Sequence, residues 1–104
     1  MPDIPQLKAE FFKTLGHPAR IRVLEILAAG ERTVTGLIDE LDVEQPYLSQ
    51  HLAVLRRADF VTTRREGASV FYALADDRVA ELLSVSREIL LDRYTATRDQ
   101  LRAS

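Results

Sequence analysis

Gln45, Ser49 and Gln50 are residue types that can read a nucleic-acid duplex when they share the open side of one short helix, and their spacing allows that. Glutamine can donate to and accept from adenine at once, and serine can bond a base or a phosphate. Arginine meets phosphate and positions a protein without reading sequence, and Arg64 and Arg65 follow in the next segment of the chain. Nothing is arranged for nucleophilic or acid–base catalysis. Cysteine is absent, His17 and His51 stand far apart in the chain, and there is no glycine-rich phosphate loop. The missing cysteine also removes disulfides and every thiolate metal site.

Those side chains need a scaffold, and the flanking pattern describes one. Val34, Leu37, Ile38 and Leu41 recur at i, i+3, i+4 and i+7, the one-sided apolar stripe of a short helix. Asp42-Val43-Glu44 interrupts it, and Pro46 is tolerated in the first turn of a new helix, whose N–H groups lack intrahelical partners. A second helix is therefore predicted from near Gln45, with Leu48, Leu52 and Leu55 on its packed side. Gln45, Ser49, Gln50, Ala53, Arg56 and Arg57 fall outside that stripe. Two β-branched and aromatic runs follow, residues 60–65 and 69–74, joined through Glu66-Gly67-Ala68. A glycine in so short a connection signals a hairpin. Helix, turn, helix and hairpin in this order predict a mainly α chain with a small β-hairpin, a winged helix-turn-helix, with double-stranded DNA as the first partner to consider. Arg64 and Arg65 would meet the phosphate backbone from the hairpin.

The 104 residues are read as one domain spanning 1–104 with dimerisation helices at its ends. Pro5 starts a first helix in which Leu7, Phe11 and Leu15 share a face with Phe12 beside them, ending at Gly16. His17-Pro18 opens a helix with Ile21, Leu24 and Leu27 on one side, stopping at Gly30. Asp76-Asp77 suits the start of a long last helix. Its Val79, Leu82, Leu83, Ile89, Leu90 and Tyr94 form a band broad enough to call for a partner helix, so a homodimer through the first and last helices is expected. The polar tail 95–104 is predicted to fray. No apolar run approaches the roughly 20 residues of a membrane span, and no signal pattern opens the chain, so a cytoplasmic location is expected. The net charge of −2 gives nucleic-acid binding no support, but its distribution does. Residues 45–75 carry four arginines against two acidic residues, whereas 31–44 carry one arginine against five.

The segment Leu15-Gly16-His17-Pro18-Ala19-Arg20-Ile21-Arg22-Val23-Leu24, the segment Leu48-Ser49-Gln50-His51-Leu52-Ala53-Val54-Leu55, and Arg65-Glu66-Gly67 with Val70-Phe71-Tyr72-Ala73-Leu74 together resemble the ArsR family of bacterial winged-helix regulators. The resemblance covers roughly residues 7–92. It implies a homodimeric repressor that sits on a palindromic operator and responds to an effector. It also implies that Gln45, Tyr47, Ser49, Gln50 and His51 face DNA, with Arg64 and Arg65 from the wing. Each has a structural alternative: Ser49 and Gln50 as solvated helix residues, Tyr47 packed on the preceding helix, His51 as a core histidine, and His17 as a cap or packing residue. The departures concern the effector. Many members sense metals through cysteines where this chain has Thr33 and Thr35, and hydroxyls are poor ligands for soft metals. A second family site uses Asp and His on the last helices. Asp76 matches its first position, Arg78 replaces the histidine, Asp92 falls near a later carboxylate, and Glu88 shares a helix face with Asp92. Nickel or zinc held by Asp76, Glu88 and Asp92 is the metal expectation, and a partner protein is the other candidate effector. The alternatives in function are a winged helix used as a protein-interaction module, kept open by the acidic segment, and most remotely a hydrolase built on Asp76, Glu88 or Asp92.

Overall fold

Asp3 starts the first helix by a reciprocal cap: its carboxylate accepts from Gln6 N at 2.9 Å, and Gln6 Oε1 accepts from Asp3 N at 2.9 Å. In the computed structural model, which describes residues 1–103, this helix is α1, Ile4–Leu15. It is followed by α2, Pro18–Ala28, the short strand β1, Arg32–Thr33, and α3, Val34–Leu41. Then come α4, Gln45–Arg57, the hairpin strands β2, Val61–Glu66, and β3, Ser69–Leu74, and finally α5, Arg78–Ala103.

Helix ends are closed by local chemistry. Thr33 caps α3, its hydroxyl accepting from Gly36 N at 3.1 Å. Asp42 ends α3 in the left-handed region, φ 55°, which turns the chain sharply toward α4. Asp59 does the same after α4 at φ 62°. There Phe60 N donates to Leu55 O at 2.9 Å and Asp59 N to Arg56 O at 3.1 Å, a Schellman closure made without glycine. Aspartate tolerates this conformation better than most L residues. Phe60 is thereby delivered into the core.

The sheet is antiparallel with order β1-β3-β2, so the expected hairpin carries a third strand. Arg32 pairs with Tyr72 and Thr33 with Phe71 on one side of β3, while Val61 to Glu66 pair with Leu74 to Ser69 on the other. Gly67 takes φ 60° at the first turn position, where two-residue hairpins place glycine.

The core lies where α2, α3, α4 and the start of α5 meet. Val23, Leu24, Leu37 and Leu55 have no exposed surface, and Leu48 and Leu52 join them. Val79 and Leu83 of α5 reach this core, but α5 runs on for 26 residues, about 39 Å. Its Val85, Ile89, Leu90, Leu91, Tyr94 and Leu101 are exposed, as are Ile4, Leu7 and Phe12 of α1. The tail expected to fray is helical through Ala103; Ser104 lies outside the described residues. Among the described residues no helix is long and apolar enough to cross a membrane.

Leu55 has no exposed surface and supplies the carbonyl that closes α4. Leu55→Ala is expected to destabilise the protein by about 2–5 kcal/mol, the range for emptying a close-packed leucine site. Urea unfolding of both proteins at one fixed concentration measures this, the fixed concentration being needed because self-association shifts apparent stability.

Candidate nucleic-acid interface

α4 is 13 residues, about 20 Å long, and amphipathic in a useful sense. Leu48, Leu52 and Leu55 hold one side in the core, which leaves Gln45, Tyr47, Ser49, Gln50, Ala53, Arg56 and Arg57 exposed. Gln45, Ser49 and Ala53 are spaced by four, and so form one ridge along the open side. Arg56 and Arg57 close that ridge at the last turn, where cations also suit the helix dipole. Neither was among the family-derived candidates, although both lie off the apolar stripe. Ser49, Ala53, Arg56 and Arg57 line, with Tyr72 of β3, an open groove of about 580 Å³ between α4 and the hairpin.

The structure corrects the placement of His51. It is buried, with 7% of its surface exposed, and belongs to the packing that seats α4 on α2. Arg20 Nε donates to His51 Nδ1 at 3.1 Å, and Arg20 Nη1 donates to Thr14 O at 3.3 Å. His17 lies against His51 at 4.3 Å between ring centroids, and Tyr47 meets it edge-on at 4.7 Å. An Nδ1 that accepts from arginine belongs to a neutral ring protonated at Nε2. Burial, the charge of His17 and that of Arg20 all hold the His51 pKa below its ordinary value. His17 makes no side-chain cap on α2 and serves packing, its Nδ1 buried without a hydrogen-bond partner. Tyr47 packs on His51 one turn along its own helix and remains 44% exposed.

The two wing arginines are placed differently, because strand neighbours point to opposite faces. Arg65 pairs with Val70 on the face shared by Val61, Thr63 and Tyr72, the side of the hairpin that lines the groove beside α4. Arg64 pairs with Phe71 on the other face and is already occupied. Its guanidinium contacts Glu31 at 2.6 Å and Glu66 at 2.7 Å. These carboxylates raise the Arg64 pKa further. Among the described residues Arg56, Arg57 and Arg65 have no ion pair. Arg65 is thus the wing cation available to phosphate, and Arg64 is not free in this state.

The carboxylates expected to bind metal do not converge within one chain. Asp76 accepts from Arg78 N at 2.9 Å and from Arg78 Nη2 at 2.7 Å, and this pairing lowers its pKa to about 2. Glu88 and Asp92 lie about 15 and 21 Å further along α5 from Arg78, at its start. No group of three potential ligands among the described residues is close enough to hold an ion. Thr33, at a family cysteine position, spends its hydroxyl on capping α3.

A helix-turn-helix with a hairpin beside the open face of its second helix defines a winged helix-turn-helix DNA-binding protein. The sequence profile described as "Bacterial regulatory protein, arsR family" matches residues 17–63. The chain is 48% identical over 102 residues to the uncharacterized HTH-type transcriptional regulator Rv0081 of Mycobacterium tuberculosis, covering 94% of this chain and 90% of that protein. The crystal structure of Rv0081 superposes with a TM-score of 0.81 at 46% identity, covering 94% and 98% of the two chains. A biofilm growth-associated repressor of Agrobacterium fabrum is 51% identical over 75 residues, 72% of this chain and 64% of that one. A homodimeric winged helix-turn-helix domain of Mycobacterium bovis, solved in solution, matches with a TM-score of 0.72 at 28% identity, covering 81% and 78%. The chain belongs to the ArsR family of bacterial transcriptional regulators, whose members are not enzymes.

Two outcomes follow from this geometry. Arg65→Ala should weaken binding to operator and random DNA alike and flatten the salt dependence by about one phosphate contact, while Gln50→Ala costs about 1–3 kcal/mol on operator alone. Fluorescence anisotropy across a salt series separates them, and equal behaviour of the two variants would contradict the assignment. For His51, the folded protein prefers the neutral ring, so the unfolded chain binds more protons as pH falls. Stability is therefore full above about pH 6.5, the ordinary histidine value, and declines as pH drops from there toward the lowered folded value. His51→Asn keeps an acceptor for Arg20 but cannot titrate, so its unfolding free energy should vary less than the wild type's between about pH 7 and 5.5.

Proposed function

We propose that this protein is a cytoplasmic repressor that binds an inverted-repeat operator as a homodimer joined through α1 and α5. The observation that carries this reading is the open face of α4, where Gln45, Ser49, Gln50, Arg56 and Arg57 are exposed beside the wing's Arg65. Side chains of these types suit base edges and phosphates of a major groove. The dimer reading is supported by the exposed Ile4, Leu7 and Phe12 of α1 and the Val85 to Tyr94 band of α5. Exposed apolar surface of that extent marks an association face. Two-fold symmetry then presents two α4 helices to one side of a duplex, so recognition should repeat about every 34–36 Å.

Operator binding does not depend on a metal in this reading. Nickel or zinc at Asp76, Glu88 and Asp92 would require carboxylates from two subunits, and Asp76 is already held by Arg78. Carboxylate sites also bind these ions weakly compared with imidazole or thiolate. The effector is then a small molecule or a protein acting at the dimer.

Selection from a random duplex pool, followed by footprinting and sedimentation, tests the proposal. The expected outcome is a dimer on an inverted repeat, formed by chelator-treated protein, with nickel or zinc changing operator affinity less than about tenfold, or 1.4 kcal/mol of coupling. A monomer on a single half-site would overturn the dimer reading. A larger metal effect abolished by Asp92→Ala or Glu88→Ala would establish the terminal-helix carboxylates as a sensory site.

A further inference from the structure

Glu31 stands immediately before β1 and Arg64 lies in β2, with β3 running between the two strands. The Glu31 carboxylate reaches across β3 to meet Arg64. Arg64 Nε donates to Oε2 and Oε1 at 3.0 and 3.2 Å, and Nη2 donates to Oε1 at 2.6 Å. Nη1 donates to Glu66 Oε2 at 2.7 Å, and the guanidinium carbon lies 4.4 Å from the centre of the Phe71 ring. All three guanidinium nitrogens are thus turned to carboxylates, with one face on an aromatic ring. The cluster holds two carboxylates and one arginine, so an approaching phosphate meets a local excess of negative charge.

This arrangement is more than the hairpin needs. Its register is already specified by six cross-strand pairs and by the pairing of Thr33 with Phe71. An exposed ion pair contributes little to stability in any case, and Glu31 and Arg64 are both exposed. A charge held near a polyanion has a larger consequence. Every phosphate contact releases counterions and raises affinity for DNA of any sequence.

We propose that Glu31 is a specificity-determining residue: by holding Arg64 on the outer face of the wing it keeps that arginine off phosphate and lowers affinity for random DNA, while leaving the base-reading face of α4 untouched. Specificity is a difference of affinities and rises when binding to the competitor falls. Random sites vastly outnumber an operator in a genome, so weakening them matters. Arg65, on the opposite face, remains the wing's phosphate contact. The inference rests on the DNA-binding reading above.

The test compares Glu31→Gln, Arg64→Gln and the double variant with the wild type, binding each to a random-sequence duplex and to a selected operator over a salt series. Glu31→Gln is expected to bind random DNA more tightly, with a salt slope steeper by up to about 0.9, the full value requiring that Arg64 also leave Glu66. Its advantage over the wild type should then shrink by up to about threefold between about 50 and 200 mM salt. Its operator-to-random ratio should fall, and the gain should vanish when Arg64 is also Gln, because the cycle isolates the pair. Reversing the pair, Glu31→Arg with Arg64→Glu, should restore the wild-type slope. An unchanged slope in Glu31→Gln would overturn the proposal. So would a gain that persists without Arg64, which would reflect only a lost carboxylate, or weaker binding to both duplexes, which would make the contact a brace for the wing. Wild-type protein that binds no duplex would instead remove the DNA-binding reading itself.

Discussion

The burial of Leu48, Leu52 and Leu55 is the constraint on which the interface depends. Each residue of an α-helix is turned about 100° from the last, so these three leucines fix the rotation of α4 about its own axis. With them in the core, Ser49 and Gln50 have no choice but to face solvent. A helix free to roll would present leucine to water and glutamine to the core, and an unpaired buried amide is costly. His51 tightens the same setting from the edge of the stripe, where Arg20 and Tyr47 hold its ring. The reading face is therefore specified by what lies behind it.

A second constraint comes from size. A chain of 104 residues buries a smaller fraction of its surface than a larger domain does, and here the deficit is concentrated at the two ends. α5 sends its first turns into the core through Val79 and Leu83, then carries Ile89, Leu90 and Tyr94 beyond anything in the same chain that could cover them. α1 likewise buries Leu15 but leaves Leu7 and Phe12 open. Both unfilled faces lie outside α3 and α4, so covering them with a second copy leaves the DNA-facing side clear.

The elements with a period were legible in the residues. The 3.6-residue stripes of α3 and α4, the proline at the start of α4 and Gly67 between two β-branched runs mark those elements because each is a local property. β1 was not legible, since two residues have no period and Arg32–Thr33 becomes a strand only by pairing with β3. The closure after α4 was hidden because Asp59 takes the conformation that glycine usually announces. His51 admits two readings in the sequence because its partner Arg20 is 31 positions away, a contact no local pattern encodes. The wing arginines look equivalent in the residues although strand alternation separates them; only the register, and Glu31 beyond it, shows which has no ion pair.

An acidic chain can still bind DNA because cations act over about a Debye length, roughly 8 Å at physiological ionic strength. What matters is which charges face the duplex, and among the described residues Arg56, Arg57 and Arg65 have no ion pair, whereas Glu40 holds Arg32 and Glu31 holds Arg64. The same short range limits how an effector can act. A ligand at the terminal helices can also work through packing. The path is short: α5 touches α2 through the core around Val23 and Leu24, and α2 holds α4 through Arg20 and His51. A shift of α5 would reach DNA by moving α2 and with it the seat of α4. By linkage, operator binding would then favour one α5 arrangement as strongly as the effector favours the other.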